Sequence, residues 1–265
     1  MKHLSQVVSD FVGLVRVCGA PVAIRWLFAI VANVVAIIER RDLQPADRAL
    51  GDGPFRVRLT RYGVAFRIVG AGAISGIREM YVRDTYLHHG LIRISDGDTI
   101  LDLGANLGNF TNLALSFGKN VRVVAVEPHI GANSRLLRSV GLNSGYLQRV
   151  TLIPAFLGLM SQRQEQMKSS DANYSRTRWI TEEQLIEEGN LTKVDVLKCD
   201  IEGGEFGLLH RESKLFRMVR SVAVEVHAFA GDVNRFMDDL EALGFSIVAV
   251  TPAPGGSATV LAKRL

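Results

Sequence analysis

Only two cysteines, Cys18 and Cys199, occur among the 265 residues. That is too few for a disulfide framework, and neither has the CxxC or histidine neighbour of a metal site. A reducing compartment, the cytoplasm, is the expected setting. A compact basic stripe with interleaved aromatics is also missing. The net charge is +4, and residues 1–95 carry 13 Lys and Arg against 7 Asp and Glu, mostly as single arginines. This argues against nucleic acid as a partner. No apolar run reaches the roughly 20 residues of a spanning helix. The longest, Val22 to Ile38, is broken by Arg25 and Asn33, and Glu39, Arg40 and Arg41 follow it where a signal peptide would have a small-residue cleavage site. What remains is 48% hydrophobic, enough for one large domain with an N-terminal extension.

The extension reads as two apolar helices divided near Gly19 to Pro21, with proline opening the second. They are expected either to pack on the core or on a second copy of the chain, or to lie on a membrane surface near a lipid-linked substrate. A loop from Asp42 to Pro54 ends them. Phe55 to Thr60 and Val64 to Val69 each alternate apolar with polar residues around a short turn, which predicts a hairpin. A small-residue loop, Gly70 to Gly76, leads to an expected helix over Ile77 to His89 with Met80, Tyr81 and Leu87 on its apolar side. The expected division is 1–50, 51–95 and 96–265.

From Ile100 onward strands and helices alternate, the sign of a parallel sheet covered on both faces. Strands are expected at 99–103, 121–126, 150–155, 194–199 and 221–227, with helices at about 109–118, 131–141, 181–189, 205–217 and 232–243. The last two strands, Phe245 to Thr251 and Ala258 to Arg264, are joined by a short Pro/Gly turn, which places an antiparallel strand at the sheet's end. Leu159 to Thr181 is polar and without period, and is expected to be a substrate lid or a disordered excursion.

The first strand runs into TILDLGANLGNF, Thr99 to Phe110. Gly104 and Gly108 let the backbone bend with positive φ against a ligand, and the next helix points free N–H groups at the same place. About 20 residues on, the second strand ends in Glu127, where dinucleotide folds keep the acid that accepts ribose hydroxyls. Asn106 stands where a second glycine would admit a pyrophosphate. This favours a ligand with ribose and adenine but no pyrophosphate, and S-adenosylmethionine is the obvious candidate.

A second stretch, VDVLKCDIEGGEF at Val194 to Phe206, delivers Asp200 and Glu202 to a strand's carboxyl end, and VAVEVH brings Glu225 and His227 to the same edge. Ligands of open α/β sheets sit there. His227 is a candidate base because its ordinary pKa is near neutrality, with Asp200 as the other. No metal-ligand set is assigned, although Asp200 and Glu202 leave magnesium as an alternative. Glu205 is expected to favour the first turn of its own helix.

LDLGANLGNF at 101–110, VEP at 126–128, LKCDIEGGEFGLL at 197–209 and VEVH at 224–227 together resemble the FkbM family of S-adenosylmethionine-dependent methyltransferases. Lys198, Asp200, Glu202, Gly203 and Glu205 keep step with the family pattern, while Cys199 and Gly204 depart from it. The resemblance covers about 95–265. It implies an α/β fold, a class I methyltransferase Rossmann-like sheet, mostly parallel with an antiparallel last strand, behind an N-terminal helical and β-hairpin extension. It also implies methyl transfer to a hydroxyl, in many members on a sugar or a polyketide, so the expected partner is a glycan or small-molecule acceptor. On this reading Asp102 and Gly104 adjoin the methionine end, Asn106 and Gly108 shape the turn, Glu127 takes the ribose, Ala155 and Phe156 line the adenine, and Ala105 is a further cofactor-binding candidate. His227, Asp200, Glu202 and Glu225 are the catalytic candidates. The rival classes are an NAD-dependent oxidoreductase, disfavoured by Asn106 and the closing hairpin, and a binding protein without turnover.

Overall fold

The computed structural model describes residues 2–158 and 160–264. The extension begins with α1 (Lys2–Cys18) and α2 (Ala20–Ala32), separated by Gly19 at φ 92° and with Pro21 in the first turn of α2. A third helix, α3 (Val34–Arg40), continues α2 after a 75° bend at Asn33, and α4 (Gln44–Ala49) follows. The hairpin forms as its period predicts, with β1 (Phe55–Leu59) antiparallel to β2 (Val64–Ile68). The helix expected over Ile77 to His89 does not. Instead α5 (Ala73–Ile77) passes into a π-helical turn at Arg78–Val82, and Asp84, His88 and His89 take positive φ. The Asp84 carboxylate draws that corner together, accepting bonds from Tyr62 Oη, Arg61 Nη1 and the His89 N–H.

The main sheet starts with β3 (Thr99–Leu103), α6 (Asn109–Leu115), β4 (Arg122–Val126), α7 (Ile130–Gly141) and β5 (Val150–Ile153). Pro154 interrupts the third strand, which resumes as β6 (Ala155–Leu157) in a separate small sheet. The polar stretch that follows is structured, although its first residue, Leu159, lies outside the described residues. It forms α8 (Gln162–Ser170), α9 (Ala172–Ser175) and β7 (Arg178–Ile180), which pairs parallel with β6. A capping box between Ser161 and Gln164 starts α8. Then come α10 (Glu182–Glu188) and β8 (Val194–Cys199). The helix expected over 205–217 is two short ones, α11 (Glu205–Leu208) and α12 (Lys214–Met218), because Leu209 turns extended and Ser213 caps a new start at Phe216 N. The chain closes with β9 (Val219–Val226), α13 (Val233–Ala242), β10 (Phe245–Pro252) and β11 (Ala258–Arg264).

The seven-stranded sheet has the order β10-β11-β9-β8-β3-β4-β5. Only β11 runs against its neighbours, and it is inserted between β9 and β10 rather than lying at the edge. Alternate residues feed two cores. Ile100, Val123 and Val196 face a cluster that takes in Trp26, Phe66, Ile74 and Phe110, so the extension covers that side of the sheet. Leu101, Val124 and Leu197 face the other, with Leu185, Phe216 and Phe236.

The extension is pinned by a buried polar knot. Arg78 donates from Nε and Nη2 to Asp47 and from Nη1 to Asp10, at 3.1, 2.7 and 2.7 Å. Trp26 Nε1 donates to Asp47 at 2.8 Å, and Arg83 adds two bonds to Asp10. Four segments, α1, α2, α4 and the π-helical turn, therefore meet at one guanidinium.

Candidate active site

Parallel strands present their carboxyl ends to a common edge, and a cleft opens there beyond β3, β4, β6 and β8. Its floor is the turn after β3. Gly104 has φ 75°, and a side chain on it would collide with the Asp200 carbonyl, so this position requires glycine. Asn106 also takes positive φ, 47°, and its N–H donates to Glu127 Oε2 at 2.8 Å. The other oxygen of Glu127 accepts the His129 N–H at 2.7 Å. Burial pushes this carboxyl up to about 7 against the pull of those two N–H bonds. An acid so placed is held rigid by the backbone while its remaining lone pairs line the cleft.

One end of the cleft is aromatic and apolar. Phe156 stacks on Trp179 with centroids 4.8 Å apart and lies beside Tyr174, and Ala155, Leu157 and Met167 complete that wall. The pairing of β6 with β7 builds it, which is why the interrupted third strand matters. The other end is acidic, with Asp200 and Glu202. Of the cofactor candidates, Gly104, Asn106, Glu127, Ala155 and Phe156 line the cleft; Asp102, Ala105 and Gly108 do not. Asp102 is fully buried beneath the turn, accepting a bond from Thr111 Oγ1 at 2.7 Å, and Gly108 packs against Leu136.

Behind Asp200 the four catalytic candidates converge. His227 Nε2 lies 3.8 Å from Asp200, 3.9 Å from Glu202 and 4.0 Å from Glu225. Its Nδ1 is 3.0 Å from Glu205 Oε1, which also accepts the His227 N–H at 2.8 Å. Glu205 Oε2 accepts the Gly203 N–H. Glu205 stands in the first turn of α11 as expected, and it has a second, more specific role there, fixing the imidazole so that Nε2 faces the carboxylates. Burial works to lower the His227 pKa, but Glu205, Asp200 and Glu225 outweigh it and raise it to about 9. Burial and the Asp200 charge push Glu225 up to about 7. Glu202 is engaged elsewhere: its carboxylate meets Arg163 Nε at 2.7 Å, and its positive φ, 55°, marks a strained corner that Ser161 Oγ ties down through the Glu202 carbonyl.

Three further residues belong to this site without having been singled out for it in the sequence. Lys198, 1% exposed, donates to the Gly104 and Leu103 carbonyls at 2.8 and 3.3 Å and sits 3.6 Å from Asp102 and 3.8 Å from Asp200. Burial opposes its charge, but Asp200 and Asp102 raise its pKa. Its place in the LKCD string was the signal. Glu79 and Tyr86 come from the extension. Burial and Asp200 raise both, and the Tyr86 hydroxyl has no hydrogen-bond partner among the described residues. Nothing local in the sequence marks either, because only the tertiary packing brings them to Asp200.

The model of the methyltransferase FkbM domain matches residues 102–247. The chain is 24% identical to the hexuronic acid methyltransferase AglP of Haloferax volcanii, over 66% of this chain and 75% of that one. It is also 24% identical to the 31-O-demethyl-FK506 methyltransferase FkbM of Streptomyces tacrolimicus, over 65% and 81%. Among solved structures, the precorrin-6y C5,15-methyltransferase of Geobacter metallireducens aligns with a TM-score of 0.45 at 13% identity, over 69% of this chain and 87% of that one. The matched span runs from the end of β3 into β10 and holds every site residue expected from the sequence, Asp102 to His227, and the protein is a methyltransferase of the FkbM family.

Proposed function

We propose that the protein transfers the methyl group of S-adenosylmethionine to a hydroxyl of a sugar, on a glycan, a glycolipid or a secondary metabolite. The observation that carries this reading is the division of one cleft into an aromatic end at Phe156, a fixed carboxylate at Glu127 in the middle and an acidic end at Asp200. Adenine, ribose and methionine fit that sequence of surfaces, and the close glycine turn suits a ligand without a pyrophosphate. The similarity to a hexuronic acid methyltransferase supports a sugar acceptor.

When bound, S-adenosylmethionine supplies an electrophilic sulfonium methyl. The protein's task is to hold the acceptor oxygen in line with it, and such positioning supplies up to roughly 7 to 11 kcal/mol in model reactions. Glu127 accepts the ribose hydroxyls. Asp200, at the cleft, takes the acceptor's proton together with Glu225 behind it, while the His227 imidazolium, held by Glu205, favours the charged form of Glu225 against burial. Because its pKa is raised to about 9, His227 is already protonated at neutral pH. It serves the carboxylates rather than acting as the base that its ordinary pKa implies.

The signs give a pH test. Activity rises as Glu225 loses its proton near pH 7 and falls as His227 loses its charge near pH 9. A kcat/KM profile that climbs through pH 9 without falling would instead make His227 the base. Calorimetric titration with S-adenosylhomocysteine, with NAD as control, tests the cofactor. Micromolar binding of the first, absent for NAD and abolished in Glu127→Ala, is expected; binding retained in that variant removes the ribose role.

A second reading of the acidic end is a divalent cation. Ligand atoms of Asp200, Glu225 and His227 lie within 4.8 Å of one another. These three, rather than the Asp200 and Glu202 pair of the sequence reading, are the donors that fit, and a histidine among them suits manganese or zinc better than magnesium. Repeating the titration with each metal and with a chelator separates the two readings.

A further inference from the structure

The helices of the extension are apolar on two sides. On α2, Ala23, Trp26 and Ala29 form the buried stripe. The opposite side, which a water-facing helix would fill with polar residues, carries Leu27, Phe28 and Val31, and the stripe runs on through Val34, Val35 and Ile38 of α3. Phe28 is 71% exposed, Val31 68%, Val35 66% and Ile38 70%. Isolated exposed aliphatics are ordinary, but a continuous strip of this kind marks a contact surface.

Charge indicates what the contact is. Arg16, Arg25, Arg40, Arg41 and Arg48 are exposed on the same helices and the turns beside them. Of the four acids in residues 1–50, Asp10 and Asp47 are buried and consumed by the Arg78 knot, which leaves only Glu39 and Asp42 at the surface. Arg25 follows Ile24, so on a helix it sits at the flank of the strip, between the exposed and buried sides. A two-fold pairing of this surface with its own copy would set the arginine rim against itself. An anionic lipid surface complements both the strip and the rim. No single helix among the described residues is long and apolar enough to cross a membrane, and α2 and α3 are bent by 75°, which suits helices lying in the interface.

We infer that α2 and α3 form an arm that docks the protein on the surface of an anionic membrane, with the apolar strip entering the headgroup boundary and the arginines on lipid phosphates. This goes beyond the methyl-transfer reading and does not depend on it. The test is co-sedimentation of the full chain with vesicles of phosphatidylcholine alone and of phosphatidylcholine containing phosphatidylglycerol. Binding to the second, weakened by salt, is expected. Phe28→Gln with Val35→Gln removes two apolar anchors, and partitioning falls about 100-fold while the melting temperature stays near wild type, since both side chains are exposed. Arg40→Gln with Arg41→Gln lowers binding to the anionic vesicles alone. Absence of binding to either vesicle overturns the inference, as does equal binding to both. So does a dimer in sedimentation equilibrium that the Phe28 and Val35 variant dissociates, because the strip would then belong to a second copy.

Discussion

Asp200→Asn is expected to lower turnover by about 10²- to 10⁴-fold, the range for loss of a positioned proton acceptor. Binding of S-adenosylhomocysteine should stay within a few-fold of wild type. The amide keeps the shape of the side chain at the cleft, but it cannot take the acceptor's proton and no longer offers a charge to His227, 3.8 Å away. Lys198 retains Asp102 as a counter-charge, so the turn at Gly104 keeps its support. The measurement is transfer of a labelled methyl group to a sugar acceptor that the wild type methylates, with calorimetry on the same preparation. Turnover within threefold of wild type would remove Asp200 from the chemistry and leave Glu225 and His227 as the candidates.

The largest effect on stability is expected at Arg78, far from any acceptor. Arg78→Met would leave Asp10 and Asp47, both fully buried, without their principal cation. Breaking a buried pair by removing one partner costs about 3–5 kcal/mol, here with two carboxylates stranded and Arg83 able to compensate only Asp10. Denaturant unfolding should show that loss. Arg178→Ala is the control, since its exposed pairing with Glu188 contributes at most about 1 kcal/mol. A difference below 1 kcal/mol between the two variants would mean that apolar packing alone holds the extension.

The alternation that gives a covered parallel sheet was plain in the sequence because each strand, such as Ile100 to Leu103, is a short apolar run bounded by turn residues. The glycine turn was equally plain, since Gly104 and Asn106 sit where a bend must occur. What escaped reading depends on contacts between distant segments. Glu205 resembles any acid in a first helical turn until His227 is folded against it. Glu79 and Tyr86 carry no motif and acquire meaning only because the extension packs on the sheet. The break inside 205–217 and the start of α8 had local signals, Ser213 before Lys-Leu-Phe and the Ser161–Gln164 pair, which apolar periodicity alone passes over.

The Lys198 ammonium has a consequence for the order of assembly. Its bonds to the carbonyls of Leu103 and Gly104 span 95 and 94 positions of chain, so the turn beneath the cleft cannot be completed by its neighbours in sequence. Closing so long a loop carries an entropic cost that must be met before the contact forms, and contacts of this range slow folding. The nascent β3–α6 segment therefore emerges with its glycine corner still loose. The binding floor acquires its shape only when β8 slots in beside β3, so competence for the ligand arrives late, with closure of the sheet.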